Sequence, residues 1–298
     1  MATTRSQWAQ LLAPGLNKVM YDYLKKHPEE YPSFYGTVDN AKGEAWRDTQ
    51  LTAGLGLLRA KQEGAPPTFD DPIQGGTHRI YVKTYALGWQ ITREMIEDDR
   101  YAFMKKVATG LMKSAMLTYE SVCAAPLNLA TSTTVTGDGL ALLHTAHPIL
   151  GPEGGTWSNL LSPYQDLTVN ALQDIINLSE RAIDERGNPA LIQPTDIWLP
   201  PELQFNAQVV FQSALTPGSG NNDINTMQGR FKPHVLHFLT STTSWFVSSE
   251  DNNELTALWS VRPQSYTYDD PQTLGVIHHC RMRLGTGIAE PRGWYGSV

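Results

Sequence analysis

Histidine pairs are the residues of this sequence whose type and spacing could bind a metal or carry catalysis. The pairs are His144 with His147, His234 with His237, and His278 with His279, which is followed by Cys280. Imidazole nitrogens and thiolates are the usual zinc ligands, and a spacing of three residues suits two ligands on one helical face. The chemistry to consider first is therefore that of a metal site.

The elements predicted around these pairs do not bring the rings together. His144 and His147 fall in a loop-rich stretch that ends in Pro148. The second and third pairs fall in predicted strands, where residues one or three apart point to opposite faces. We therefore predict no metal ligand, no cofactor site and no catalytic residue. An enzyme that uses His144, His147 or His279 is the alternative hypothesis from another functional class.

Carboxylate runs and glycine-rich segments give no enzyme signature either. Glu97, Asp98 and Asp99 stand near the start of a predicted helix, where its dipole favours anions. The pair Asp269 and Asp270, before a proline, predicts a turn. The sequence contains neither a phosphate-binding Gly-x-x-x-x-Gly-Lys-Ser/Thr loop nor a Gly-x-Ser-x-Gly nucleophile elbow. The sequence therefore predicts a protein without catalytic activity.

The composition restricts the class further. The chain has 298 residues, enough for one or two domains, and a net charge of −7. Residues 126–298 hold 8 basic and 16 acidic side chains, which disfavours a sequence-specific nucleic-acid reader. Cys123 and Cys280 are too few for a disulfide framework and are expected to be buried, reduced thiols. No apolar run would span a membrane and no secretory signal is visible, so we expect synthesis in a cytoplasm.

The first half of the chain predicts an arm, a β-rich excursion and a long helix. Residues 1–43 combine short helical patterns with an aromatic, proline-containing stretch that must pack on its own body or on a neighbour. Turn signals precede one long predicted strand, 78–92. Apolar residues at helical spacing then predict a helix over 94–125 that stops at Pro126. Such a helix is about 40 Å long and would form the spine of an elongated subunit.

The second half predicts an α+β body with a mixed or antiparallel sheet. A helix is predicted from 168 to 186, with Thr168 as N-cap and Gly187 as its stop. A second helix starts at Pro200-Pro201 and reaches about residue 214, and a polar segment follows at 215–230. The predicted strands are 196–199, 235–239, 245–248, 255–261 and 273–284.

Several sequence segments, in this order, resemble a known family. They are Trp89–Asp99, Asp138–Pro148, Ser158–Leu160, Gly187–Pro189, Leu199–Leu203, Asn221–Asn225 and Pro291–Gly296. The ordered set resembles the major capsid proteins of tailed bacteriophages, which have the Hong-Kong-97-like fold. It is most similar to the major head subunits of Mu-like phages and prophages.

The resemblance implies five parts. Residues 1–43 would be an N-terminal arm and 44–93 an extended β-hairpin loop. Residues 94–164 would hold the spine helix and the first part of a peripheral domain, completed by C-terminal strands in 263–298. Residues 165–262 would be the axial domain. Some relatives cross-link a lysine of the extended loop to a neighbour; Lys61 and Lys83 lie in the corresponding region, but we assign no cross-link.

The function implied is that of a structural protein that self-assembles as hexamers and pentamers into an icosahedral shell around double-stranded DNA. The expected partners are further copies of the chain, a separate scaffolding protein (unless a scaffolding domain was already removed), a portal and decoration proteins, without any membrane. DNA would be contacted non-specifically. The expected location is the virion capsid, assembled in the bacterial cytoplasm. An encapsulin-like compartment shell is the alternative within the same fold.

Overall fold

The structure is a computed structural model that describes residues 18, 22–23, 25–41, 46–53, 55–64, 66–92, 94–95, 98, 101–149, 154–216, 223–269 and 275–298. Within these ranges the α-helices are α1 (Tyr101–Asn128), α2 (Val169–Glu180) and α3 (Gln204–Gln212). The strands are β1 (Thr37–Asn40), β2 (Trp46–Ala53), β3 (Ile73–Tyr81), β4 (Lys83–Ile91), β5 (His147–Pro148), β6 (Thr156–Trp157), β7 (Asp196–Leu199), β8 (Lys232–Val235), β9 (Trp245–Ser248), β10 (Thr256–Asp269), β11 (Val276–Gly287) and β12 (Trp294–Ser297). None of the described helices is long and apolar enough to cross a bilayer.

The first sheet has the strand order β1-β10-β11-β4, with β1 parallel to β10 and the other pairs antiparallel. Alternate residues of β11 are buried, as expected for a strand with one face on a core. Cys123 and Leu127 of α1 join Met282 and Leu284 of β11 in that core. Helix α1 therefore packs on one face of this sheet, and this sheet is the support of the long helix.

The second sheet has the order β12-β9-β7-β8, with β7 parallel to β8. Helices α2 and α3 share its core, in which Leu172 and Ile175 of α2 meet Ile197 of β7 and Val247 of β9. The Thr168 side chain accepts a hydrogen bond from the Ala171 N–H and caps α2. Both four-stranded sheets are mixed, which confirms the predicted α+β class, and β7 and β9 have the predicted bounds.

The predicted strand over 78–92 is two strands that belong to different sheets. Strand β3 pairs with β2 in a separate two-stranded sheet, whereas β4 pairs with β11 at the edge of the first sheet. Ile80, near the end of β3, is buried beside Ala41 and Leu258, so the chain contacts the body where it passes from one sheet to the other. Composition alone carried no signal for this division, because both strands are rich in β-forming residues.

Other predicted bounds differ from the structure, among them those of α1, α2 and β8. Helix α1 continues past Pro126 to Asn128, because Leu127 is buried in the core and a proline in the last turn costs only one backbone bond. Helix α2 ends at Glu180, before a turn around Asp184 in which Gly187 has a φ of 78°. The strand predicted at 235–239 is β8, at 232–235. Its Pro233 is tolerated because β8 lies at a sheet edge.

The sheets cross the predicted borders of the five parts. The border at residue 262 lies inside β10, and β12 pairs with β9 although the prediction placed them in different parts. Strand β1, within the predicted arm, is hydrogen-bonded to β10. Most of residues 1–24, Glu97, Asp99, Asp270 and residues 217–222 of the polar segment lie outside the described residues.

Candidate assembly surfaces

The two-stranded sheet β2–β3 and the segment 55–72 between its strands form one excursion of the chain. Arg79 of β3 donates two hydrogen bonds to the Asp48 carboxylate of β2, at 2.6 and 2.9 Å, and its guanidinium lies 4.0 Å from the Trp46 ring centre. A two-stranded sheet is only marginally stable in water because it has no core, so these contacts between its strands contribute to its stability. We define the hairpin as residues 46–81.

The segment between the hairpin strands exposes large apolar side chains. Leu58 is fully exposed, Phe69 is 91% exposed, and Leu57 is exposed as well. A cluster of exposed leucine and phenylalanine is costly in water and is typical of a surface that another chain covers. We call Leu57, Leu58 and Phe69 the hairpin patch. The turn signals of the sequence predict the excursion, but no pattern in the sequence predicts that these three residues are exposed.

The hairpin segment is anchored to the body by one carboxylate. Asp70 accepts a hydrogen bond from the Gly56 N–H at 2.8 Å and lies 2.9 Å from Arg186 Nη1. The Gly56 N–H and the Arg186 guanidinium hold the pKa of the Asp70 carboxyl below its usual value. Arg186 also donates to the Asp71 carbonyl. Because the Asp70 side chain is half-exposed, this ion pair contributes little to stability.

A second apolar surface lies on α3. Ala207, Val210 and Phe211 are buried against the second sheet, whereas Phe205 on the opposite side is 72% exposed. Ile224, which forms a β-bridge with Leu215 just beyond α3, is 79% exposed. We call Phe205, Val209, Leu215 and Ile224 the helix patch. Leu215 and Ile224 belong to the polar segment 215–230, within the part that the resemblance implies to be the axial domain.

The aromatic stretch of the predicted arm packs on the chain's own body. The Tyr31 ring is completely buried, and its hydroxyl accepts hydrogen bonds from Trp259 Nε1 at 3.1 Å and Arg262 Nη1 at 2.6 Å. Phe34 and Tyr35 belong to the same core. Gly36 is required here, because a Cβ would lie 1.6 Å from the Asn253 carbonyl oxygen. Residues 31–36 are therefore part of the body.

Glu120 of α1 fixes the start of this stretch. Its carboxylate accepts hydrogen bonds from the backbone N–H groups of Glu30 and Tyr31, at 2.9 and 3.1 Å. Burial raises the pKa of Glu120 to about 7, against the lowering effect of the two N–H groups, and the carboxylates of Glu29 and Glu30 raise it further. The Oε1 atom of the Glu30 carboxylate lies 2.6 Å from His237 Nδ1. No local sequence pattern predicts this contact, because Glu120 and Tyr31 are 89 residues apart.

The structure places the first predicted histidine pair in a buried polar network. His147 Nδ1 lies 2.6 Å from Asp138 Oδ2, and Nε2 lies 3.2 Å from Asn159 Oδ1. Burial raises the pKa of Asp138, but hydrogen bonds from His147, Thr136 and the Leu140 N–H outweigh it and lower the pKa to about 2. Both side chains of the His147–Asp138 pair are almost fully buried, so a substrate has no access to them.

The other histidines lie apart from this network. His234 stacks on Trp198 and contacts Asp196, while His237 contacts Glu30. His278 and His279 face opposite sides of β11, as predicted: the first is buried and stacks on Trp89, the second stacks on Tyr266. In the described part of the chain no three histidine, cysteine or carboxylate side chains form a group that could hold a metal ion.

The remaining predicted residues are dispersed. Cys123 and Cys280 are free and buried, in agreement with the expectation of reduced thiols. Lys61 is exposed in the segment between β2 and β3, and Lys83 is exposed on β4. The described residues thus present two exposed apolar patches and one buried polar network.

Comparison with known proteins agrees with this arrangement. A family whose description is "Phage capsid protein" matches residues 76–297. A comparison with curated protein sequences finds no match.

Solved structures share the fold at low sequence identity. The procapsid of bacteriophage JBD30 is 14% identical and has a TM-score of 0.56, over 99% of this chain and 76% of that chain. The mature capsid of bacteriophage PhiM1 is 9% identical with a TM-score of 0.56, over 91% and 86% of the two chains. A virus-like particle from Pyrococcus furiosus is 10% identical with a TM-score of 0.53, over 96% and 98%.

The family match covers most of the chain, and the shared fold is that of phage capsids, the Hong-Kong-97-like fold that the sequence predicted. The chain therefore belongs to the phage capsid protein family and is a structural major capsid protein.

Proposed function

We propose that this capsid protein assembles as hexamers and pentamers into an icosahedral shell that encloses double-stranded DNA. The single observation that carries the proposal is the exposure of the hairpin patch, Leu57, Leu58 and Phe69, on a segment with little core of its own. Covering this patch with a second copy removes apolar area from water in every subunit, at about 25 cal/mol per Å².

The five parts take the following roles in the proposal. The hairpin lies over an adjacent subunit, and the helix patch meets its equivalents around hexamer and pentamer axes. The sheet with α1 forms the peripheral domain, and the sheet with α2 and α3 forms the axial domain, to which β12 is added. The part of the arm that reaches a neighbour ends before Tyr31, since Tyr31, Phe34 and Tyr35 are buried in the subunit's own core.

We also propose the finer points that the resemblance implies. The protein is a major head subunit of the Mu-like type, works with a separate scaffolding protein and a portal, and assembles in the bacterial cytoplasm before it becomes part of the virion. It switches contacts between subunits and performs no catalysis. The absence of an accessible polar cluster around His147 supports that last point.

A matched pair of hairpin variants tests the proposal. Leu58→Glu and Gln62→Glu each place a carboxylate on the same exposed segment, the first in the hairpin patch and the second at a polar position. Negative-stain electron microscopy should show shells for Gln62→Glu and free subunits for Leu58→Glu, with equal unfolding midpoints for both. Shells formed equally well by both variants would remove the hairpin patch from the assembly interface.

An encapsulin-like compartment shell is the second candidate. It is favoured by the similarity to the virus-like particle from Pyrococcus furiosus, which extends over nearly the full length of both chains. The two candidates differ in content. Shells isolated from infected or induced bacteria should protect double-stranded DNA from nuclease if the phage proposal holds, and should contain a protein cargo without DNA if the compartment proposal holds.

A further inference from the structure

The sheet face opposite α1 has an unusual charge pattern. Because His278, Cys280 and Met282 of β11 are buried, the alternate residues His279, Arg281 and Arg283 face the other side. The register places Gln264 beside Arg281, and Tyr266 beside His279. On β4 the exposed neighbours of Arg281 and His279 are Ala86 and Gly88. No acidic side chain stands at these positions, although the protein has 30 acidic residues.

The two arginines of this face have no carboxylate partner among the described residues. Arg281 is exposed, and the buried Nε of Arg283 has no hydrogen-bond partner there. By contrast, Arg186, Arg262 and Arg292 each lie within 4.0 Å of a carboxylate oxygen. Two neighbouring guanidinium groups that no carboxylate of the described residues neutralises attract an anion.

Aromatic side chains complete the face. The rings of Tyr266 and His279 are stacked with centres 5.2 Å apart, and Tyr268 lies edge-on at 5.5 Å from His279. Tyr266 and Tyr268 are exposed. Gly88 of β4 leaves space for the His279 side chain, because a Cβ at position 88 would lie 3.0 Å from the His279 Cβ. Arg281, Tyr266 and Tyr268 are exposed on this face, whereas Arg283 beside them is half-buried.

We propose that this face, centred on Arg281, Arg283, His279 and Tyr266, contacts the phosphate backbone of duplex DNA in the interior of the shell. The inference rests on the proposed function, since it takes a DNA-filled shell as given. Charge complementarity decides the occupant. The DNA backbone is a polyanion whose phosphates accept bidentate hydrogen bonds from guanidinium groups, whereas residues 126–298 as a whole carry excess negative charge, which repels DNA. The contact reads no sequence, because it is made to the backbone.

Purified subunits titrated with a short duplex DNA of mixed sequence test the inference. Arg281→Gln/Arg283→Gln removes the two charges of the face. Lys25→Gln/Lys26→Gln, at two exposed lysines, removes the same charge elsewhere. Loss of two phosphate contacts makes the slope of log affinity against log salt concentration less steep by about 1.8. The ratio of wild-type to variant DNA affinity should therefore fall roughly 12-fold between about 50 and 200 mM salt. The lysine control should keep the wild-type slope. Arg281→Lys/Arg283→Lys should keep it as well.

Three results would overturn the inference. An unchanged slope in the arginine variant would show that the face does not contact phosphate, and an equal decrease in the lysine control would show only a net-charge effect. If electron microscopy shows shells for the lysine control and none for a folded arginine variant, the face is a contact between subunits. The proposed function fails separately, when the wild-type protein itself forms no shells.

Discussion

The Glu120 carboxylate, in the middle of α1, accepts a hydrogen bond from the backbone N–H of Tyr31 at 3.1 Å, across 89 residues of chain. The same carboxylate accepts a hydrogen bond from the Glu30 N–H, at the point where the arm joins the body. We call these two hydrogen bonds the Glu120 clamp. The groups around it are the carboxylates of Glu29 and Glu30, the phenols of Tyr31 and Tyr119, the Cys123 thiol, Arg262, and His237 behind Glu30.

This clamp predicts a pH dependence. Because the pKa of Glu120 is raised from 4.5 to about 7, the folded state binds this proton more tightly than the unfolded state. The contribution of Glu120 to the free energy of unfolding should therefore be highest below about pH 4.5 and should decrease as the pH rises to about 7. Above that pH it should stay constant, and the total change should be at most about 3 kcal/mol.

Glu120→Gln should flatten that part of the profile, as measured by urea unfolding of the subunit between pH 4.5 and 8. The control is Glu63→Gln, in the exposed hairpin segment, which should reproduce the wild-type profile. A Glu120→Gln profile with the wild-type slope would contradict the assignment of the titration to this clamp.

The Asn159 side chain contacts three residues of the stretch 142–147, and its loss should lower the stability of the fold. Its side chain accepts from the His144 N–H at 2.8 Å, donates to the Leu142 carbonyl at 2.7 Å and contacts His147 at 3.2 Å. Asn159→Ala leaves several buried polar groups without partners and should lower the free energy of unfolding by at least about 2 kcal/mol. Gln62→Ala in the hairpin should change it by less than about 0.5 kcal/mol. Equal effects in urea denaturation would show that the network is not structural.

The contrast between core and patch residues gives a third prediction. Ile175 is fully buried under the second sheet, so Ile175→Ala should cost roughly 2–5 kcal/mol of unfolding free energy through the cavity it leaves. Phe205→Ala, on the exposed side of α3, should leave unfolding almost unchanged and should slow assembly followed by light scattering. A stability loss of similar size in both variants would contradict the division of α3 into a core face and a contact face.

The buried histidine network gives a fourth prediction. No described group of side chains can hold a metal ion, and the His147 ring is closed in by Asp138 and Asn159. Treatment with a strong chelator should therefore leave the thermal midpoint of the subunit unchanged, and dialysed protein should contain less than one equivalent of zinc. A chelator-induced decrease of several degrees would revive the metal-site hypothesis.

The sequence predicted most elements where a local signal exists. Thr168 predicted the start of α2 because an N-cap depends only on residues close in sequence. The predicted bounds of β7 and β9 agree with the structure because these strands are mainly apolar and lie between turn-forming residues. The sequence did not predict that the chain passes from one sheet to another at Val82. Strands β3 and β4 have similar compositions and differ in their partner strands, which are distant in sequence.

The candidate surfaces were predictable only in part. A hairpin without its own core was visible from its turn signals, and the resemblance gave it a role. The clamp at Glu120 and the arginine face depend on strand register and on contacts across more than 80 residues, neither of which has a signature in local spacing. Leu58 and Phe69 could be named only once their exposure was known.

The most direct test of the account is electron microscopy of the purified wild-type protein, alone and with a co-expressed scaffolding protein, with light scattering on the same samples. The account predicts closed shells, or hexamers and pentamers that close when the scaffold is added. A uniform monomer or dimer under both conditions would contradict it.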